Sequence, residues 1–173
     1  ALALDLRGAL CITRADLTRE RVLDAFAARC GPGAALHVAT HLVRAPDEGL
    51  AAFGRDALQL SGGEVLTASE LATLAPRFDL VVLSACATGG GRVVDGQGMH
   101  GVARAFLEAG TRNVVATLWP VEDAAAREFG IALHEALAAG CTPSVAAHQA
   151  RARLRAAGFA AADWAAFRAL ARD

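Results

Sequence analysis

Two side chains in this sequence have the identity and the setting needed for covalent catalysis. His41 closes the apolar run LHVAT, and Cys86 closes the run DLVVLSA, 45 residues further along. A thiol near neutral pH is mostly protonated, and only the thiolate attacks a carbonyl carbon well. An adjacent imidazole lowers the thiol pKa, orients it, and can later protonate a leaving amine. The chemistry is acyl transfer to sulfur and then to water, which calls for neither a metal nor an organic cofactor. A cysteine after a buried strand is ordinarily a small core residue. Cys11, Cys30 and Cys141 read that way, since none has a histidine at a comparable position.

The other polar candidates are weaker. His37 alternates with His41 along one strand, but no second ligand pair accompanies them, which argues against metal catalysis. His37 reads as a strand residue packing or hydrogen-bonding beside the site. His100, His134 and His148 fall in helical stretches and read as surface or helix-face residues. The loop ATGGGRVVDGQG at 87–98 has glycine amides able to cradle an anion. It contains no dinucleotide or Walker pattern, and the chain has no lysine to serve one. A rim that closes over a peptide fits its Gly and Asp content better. Trp119 can line a specificity pocket or cap a sheet edge. Asp123 can contact substrate or simply stand at a helix N-terminus, where the dipole favours an acid.

These residues need elements to hold them. Residues 1–6 read as a strand. Leu17 and Thr18 look like a staple residue and an N-cap for a helix reaching about Ala28, with Val22, Leu23 and Phe26 on one face. LHVAT at 36–40 is a compact strand, and 42–63 reads as irregular with at most a short strand near Ala57 to Leu60. Thr67-Ala-Ser-Glu70 is a capping box opening a short helix that Pro76 ends. The run at 79–85 is continuously apolar, as suits a strand covered on both faces in a parallel sheet. A helix from about Met99 to Ala109, closed by Gly110, precedes a third buried strand, NVVATLW at 113–119. Helices near 123–139 and 143–157 follow, and a last helical segment holds Trp164, Phe167 and Leu170. Strands alternating with helices predict a three-layer α/β domain with a mainly parallel sheet. Sites in such sheets form beyond the carboxyl ends of the strands. His41, Cys86 and the segment after Trp119 all fall on that edge.

Composition narrows the function classes. The chain has 173 residues, 54% hydrophobic, 20% charged and 5% aromatic. A folded chain of this size hides roughly 70% of the surface its unfolded form exposes. One domain covering 1–173 is therefore expected, without repeats or a linker. Seventeen basic residues, all arginine, face 18 acidic ones for a net charge of −1, which does not suit a wide phosphate-gripping face. No direct nucleic-acid contact and no membrane span are expected. No CxxC pair occurs and no secretory signal opens the chain, so the thiols read as reduced and the compartment as cytosolic.

Three blocks make the reading more specific: LHVATH, LVVLSACATGGG and GVARAFLEAGTRNVVATLWPVED. In this order the chain resembles a CHAT domain, the caspase- and separase-related module often joined to tetratricopeptide repeats. The resemblance runs from about Thr18 to the terminal WAAF. It implies a caspase-like fold and a His/Cys cysteine endopeptidase acting on protein or peptide substrates, with His41 and Cys86 in the dyad positions. The backbone amides of Leu42 and Cys86 would receive the oxyanion. Trp119, Ser84 and Asp123 would serve substrate binding. In the related separases the aspartate of the similar LW-x-V-x-D block is expected to bind a basic side chain, which carries over to Asp123. Some members cut effectors in bacterial defence. The abrupt start on a strand suggests a catalytic region excised from a longer protein, with regulatory repeats of the tetratricopeptide kind as neighbours. Leu42 stands where the family often has glycine, and Ala87 where it often has an acidic or polar residue. Those departures motivate the alternative of a catalytically silent caspase-like interaction module.

Overall fold

The computed structural model describes residues 17–29, 33–44, 56–75, 77–84 and 98–172, with backbone only at 29, 44 and 98–100. The expected strand at 1–6, the loop at 87–97, Cys11, Cys30 and Cys86 lie outside the described residues. Helix α1 (Arg19–Arg29) starts where its cap predicts, the Arg21 amide donating to Thr18 Oγ1 at 3.3 Å. Leu17 and Val22, one before and four after that cap, bury in the same cluster as a hydrophobic staple.

The central sheet has the order β1-β5-β6-β7. Strands β1 (Ala35–Ala39), β5 (Leu80–Ser84) and β6 (Asn113–Thr117) run parallel, and β7 (Phe167–Ala171) pairs antiparallel with β6. All five residues of β5 are buried, which explains its unbroken apolar run: Val81 and Leu83 point into one core, Leu80 and Val82 into the other. On the first side lie α1 and α3 (Gly98–Glu108), where Phe26 meets Phe78 and Phe106 edge-on at 5.8 and 6.3 Å. On the second lie α4 (Asp123–Ala138) and α5 (Pro143–Ala156), which meet through alanines such as Ala125, Ala132, Ala146 and Ala150. The high alanine content thus lets two helices approach each other and the sheet closely. This is a mixed α/β domain with a mainly parallel central sheet between helix layers, consistent with a caspase-like fold. Among the described residues no helix is long and apolar enough to cross a membrane.

Local signals hold where they are dense. Helices α3, α4 and α5 all end on glycines with positive φ, Gly110, Gly140 and Gly158. In each the glycine amide and the next one reach back to orphan carbonyls, as in Gly110 N to Leu107 O and Thr111 N to Phe106 O, both 3.0 Å. The capping box is present in full: Glu70 N donates to Thr67 Oγ1, and Thr67 N donates to Glu70 Oε2 at 2.8 Å. Helix α2 (Ala68–Leu74) ends two residues before position 76, with Ala75 in a left-handed conformation as the C-cap.

Two expectations need correction. The segment 42–63, read as irregular apart from a short strand near Ala57 to Leu60, contains that strand as β3 (Asp56–Gln59) but also β2 (Leu42–Arg44), and with β4 (Val65–Thr67) these form a second, antiparallel sheet of order β2-β3-β4. Strands of three or four residues are too short to display alternation; burial of Leu58 and Leu66 against α2 and α3 is what fixes them. The final helix is also wrong beyond Trp164. Only α6 (Ala161–Trp164) is helical, and Phe167 and Leu170 belong to β7. Their spacing of three suits a helix as well as a strand, and the otherwise unpaired edge of β6 decides it.

Two stability outcomes follow from this packing. Phe129 and Phe167 are fully buried and stacked at 3.6 Å, joining α4 to β7. Phe129→Ala is expected to remove about 3–5 kcal/mol and to lower Tm by on the order of 10 °C, measured by calorimetry. Thr67→Ala, which removes the capping hydroxyl of α2, is expected to cost about 1 kcal/mol in denaturant unfolding.

Candidate active site

The ladder between β1 and β5 runs from Ala35↔Leu80 to Ala39↔Ser84. Beyond its last rung the first chain turns into the small sheet. Thr40 Oγ1 donates to the Gln59 carbonyl at 2.6 Å, and the Gln59 amide donates to the His41 carbonyl at 2.9 Å. His41 therefore stands at a corner clamped from both sides by one residue of β3, half-buried, at the carboxyl rim of the central sheet. The same pairing makes Leu42↔Leu58 a non-hydrogen-bonded pair of the antiparallel ladder. In such a pair the N–H turns away from the partner strand, so β3 does not consume the Leu42 amide. Cys86 follows Ser84 by two residues, outside the described residues.

Below this rim lies a polar chain that crosses three elements. His134 on α4 is only 5% exposed, and its Nε2 is 2.8 Å from His37 Nδ1 on β1. His37 Nε2 in turn is 3.0 Å from Ser84 Oγ, the hydroxyl of the last β5 residue, itself 7% exposed. His134 Nδ1 has no partner among the described residues. Burial among apolar atoms, reinforced by the neighbouring His134, lowers the His37 pKa to about 4. Burial lowers that of His134 too. Solvent still reaches the outer side of His37 on its edge strand. Both imidazoles are neutral at neutral pH.

The opposite flank is built by the chain after β6. Val121 buries in the α4–α5 core, while Trp119 stays 39% exposed and donates its indole N–H to the Ala162 carbonyl at 2.6 Å. The Glu122 amide reaches Asp163 Oδ1 at 3.4 Å, tying the same segment to α6. Asp123 is the exposed first residue of α4, placed where the helix dipole favours an acid.

The structure thus sets His41, Leu42, Ser84, Trp119 and Asp123 at or beyond carboxyl strand ends, the edge expected for His41 and for the segment after Trp119. His37 hydrogen-bonds beside the site as read from sequence. His134 does not fit its surface reading: it is buried and bonded to His37. No sequence signal marked it: that α4 is buried around much of its girth, and that Gly130, one turn before His134, passes His37, emerge only in the fold. Gln59 was also missed, since its role is carried by backbone atoms. Cys141 is half-buried with Sγ 3.9 Å from Gln149 Oε1. Among the described residues no group of three His, Cys, Asp or Glu side chains could hold a metal ion.

Comparison with known proteins extends this picture. A CHAT domain profile matches residues 5–173. Mouse tetratricopeptide repeat protein 28 is 38% identical over 86 residues, which is 50% of this chain and 4% of that protein. The chain therefore spans a small fraction of this relative's length. With the profile matching nearly end to end over a mixed α/β fold with a mainly parallel central sheet, the chain belongs to the CHAT domain family, the caspase-like group.

Proposed function

We propose that this domain is a cysteine endopeptidase in which Cys86 is the nucleophile and His41 the base. The observation that supports it most is the last rung of the β1–β5 ladder. His41 follows Ala39 by two residues and Cys86 follows Ser84 by two, and Ala39 and Ser84 are partners. Parallel neighbours lie about 4.8 Å apart, so two residues that each follow this rung by two positions leave adjacent strands at the same rim.

His41 takes the thiol proton as Cys86 Sγ bonds the scissile carbonyl carbon. The carbonyl oxygen gains the negative charge, and the Leu42 and Cys86 amides receive it. That role is compatible with the Leu42 N–H turning away from β3. Collapse breaks the C–N bond, His41 gives its proton to the amine, and a thioester remains. Water, deprotonated by His41, then releases the acid and restores the thiol. Trp119 and Asp123 are assigned to the substrate, Asp123 pairing with an Arg or Lys side chain, and Ser84 serves the same pocket from beneath. The setting is cytoplasmic, with tetratricopeptide-type repeats as regulatory neighbours.

The second reading, a catalytically silent module that binds a protein, is favoured by Leu42 and Ala87 and by the repeat protein among its relatives. The two are told apart by a peptide chloromethyl ketone followed by mass mapping. Selective labelling of Cys86 is expected, and labelling of every cysteine except Cys86 would falsify the peptidase reading. His41→Ala is expected to lower kcat for peptide cleavage by roughly 10²–10⁴, and Cys86→Ala to abolish it. Asp123→Asn should reduce kcat/KM for substrates with Arg or Lys at the cleaved position by between about tenfold and a hundredfold. A library profile that leaves basic and apolar peptides equally affected would remove Asp123 from the pocket.

A further inference from the structure

The amino edge of the central sheet, opposite the candidate active site, concentrates positive charge. Arg77 precedes Phe78, whose carbonyl accepts from the Arg112 amide at 3.0 Å, and the Arg112 carbonyl accepts from the Arg172 amide at 2.9 Å. These two bonds set an arginine at one end of each of three neighbouring strands, β5, β6 and β7. Arg112 and Arg172 continue the Asn113↔Ala171 register as directly opposed residues, so their side chains share a face. Helix α3 ends on that face. Arg77 Nε and Arg172 Nη1 lie 3.3 and 3.4 Å from the point where a Cβ on Gly110 would stand. Gly110, at φ +107°, is thus the floor across which both guanidinium groups lie.

Packing does not call for this arrangement. All three arginines are exposed, and like charges directly opposite across an antiparallel pair are destabilising. Asp79 and the carboxyl end of α3 offset part of the charge, the helix end counting for about half a unit. Asp79 is engaged on both oxygens: Oδ2 accepts from the Gly33 amide at 2.5 Å, and Oδ1 faces Arg112 Nη1 at 3.2 Å. Glu108, the last residue of α3, pairs with Arg104 instead. Among the described residues no carboxylate pairs with Arg77 or Arg172. Three cations therefore face one carboxylate and one helix end, an excess of about one and a half positive charges.

We propose that Arg77, Arg112 and Arg172 form a docking surface for an acidic stretch of a partner polypeptide. The arginine nitrogens on either side of Gly110 are at most about 7 Å apart, the interval between alternate side chains of an extended peptide. Successive carboxylates on one face of such a peptide reach both arginines, each accepting charge-assisted hydrogen bonds from a guanidinium fork. Asp79 at the margin and the net charge of −1 oppose a long phosphate backbone, which gains its affinity from a wide cationic face. The surface lies at the far end of β5 from the last rung of the β1–β5 ladder, so it does not depend on the peptidase reading.

Amide proton–nitrogen spectra of the ¹⁵N-labelled full chain, titrated with a hexaglutamate peptide at low salt, read the binding directly. Saturable shifts centred on Gly110, Arg112 and Arg172 are expected, and the affinity should fall several-fold as salt is raised to about 0.5 M. Arg77→Gln and Arg172→Gln should each weaken binding by about twofold to fivefold, and the double variant by about fivefold or more. Replacing both by lysine keeps the charges and should leave affinity within about threefold of wild type. Because the arginines repel one another, the free double Gln variant should melt no lower than wild type. A lowered Tm would make the arginines a stabilising feature of the fold and overturn the proposal. Absence of a saturable shift, or equal binding by the double Gln variant, would do the same. An oligothymidylate of equal charge that binds more tightly at the same residues would reassign the surface to nucleic acid and also overturn it.

Discussion

Parallel pairing aligns carboxyl end with carboxyl end, so two strands that pair in this way must leave the sheet at the same rim. In this domain β1 and β5 are so paired, with Ala39 opposite Ser84 at the last rung. Residues 45 apart along the chain are thereby drawn toward one place without any contact between their own side chains having to arrange it. What holds β5 in register is burial: all five of its residues are covered, alternately by the α1–α3 core and the α4–α5 core. A slip of one residue would turn each set of side chains to the wrong layer. The position of the rim is thus determined by apolar packing some distance below it.

The rim itself is shaped by the small sheet. Gln59 clamps the corner at Thr40 and His41 through a side-chain hydroxyl and a carbonyl, and the hairpin that holds Gln59 is anchored by Leu58 and Leu66 in the first core. The corner has a chemical consequence, because the alternation of the β2–β3 ladder leaves the Leu42 amide facing away from β3. A leucine can stand in extended backbone at a position where a glycine is often found, so its side chain does not deprive the corner of a donor.

Beneath the rim, apolar packing gives way to His134, His37 and Ser84. Two imidazoles that share one hydrogen bond in apolar surroundings stay neutral, and their shared bond allows one arrangement of protons without a buried orphan donor. The second helix layer therefore does more than cover the sheet: α4 is the element from which the end of β5 receives its polar support.

Dense local signals were legible in the sequence. The Thr18 and Thr67 caps, the Gly110 stop of α3, the buried runs of β5 and β6 and the strand delivering His41 all appear as read, because each depends on interactions among residues a few positions apart. The short strands β2 and β4 and the true nature of Phe167–Ala171 were not legible, since three to five residues carry no decisive period and their partners lie far away in sequence. His134 is the sharpest instance. From the sequence alone it is one histidine on a long helix, and its inward direction and its bond to His37, 97 positions away, exist only once α4 is laid across the sheet. The sequence by itself determined the long helices, the parallel strands of the central sheet, the layer order and the residue types at the strand ends. Tertiary structure decided the edges and the polar chain, because strand pairing and buried hydrogen bonds are made between segments that local propensity cannot see.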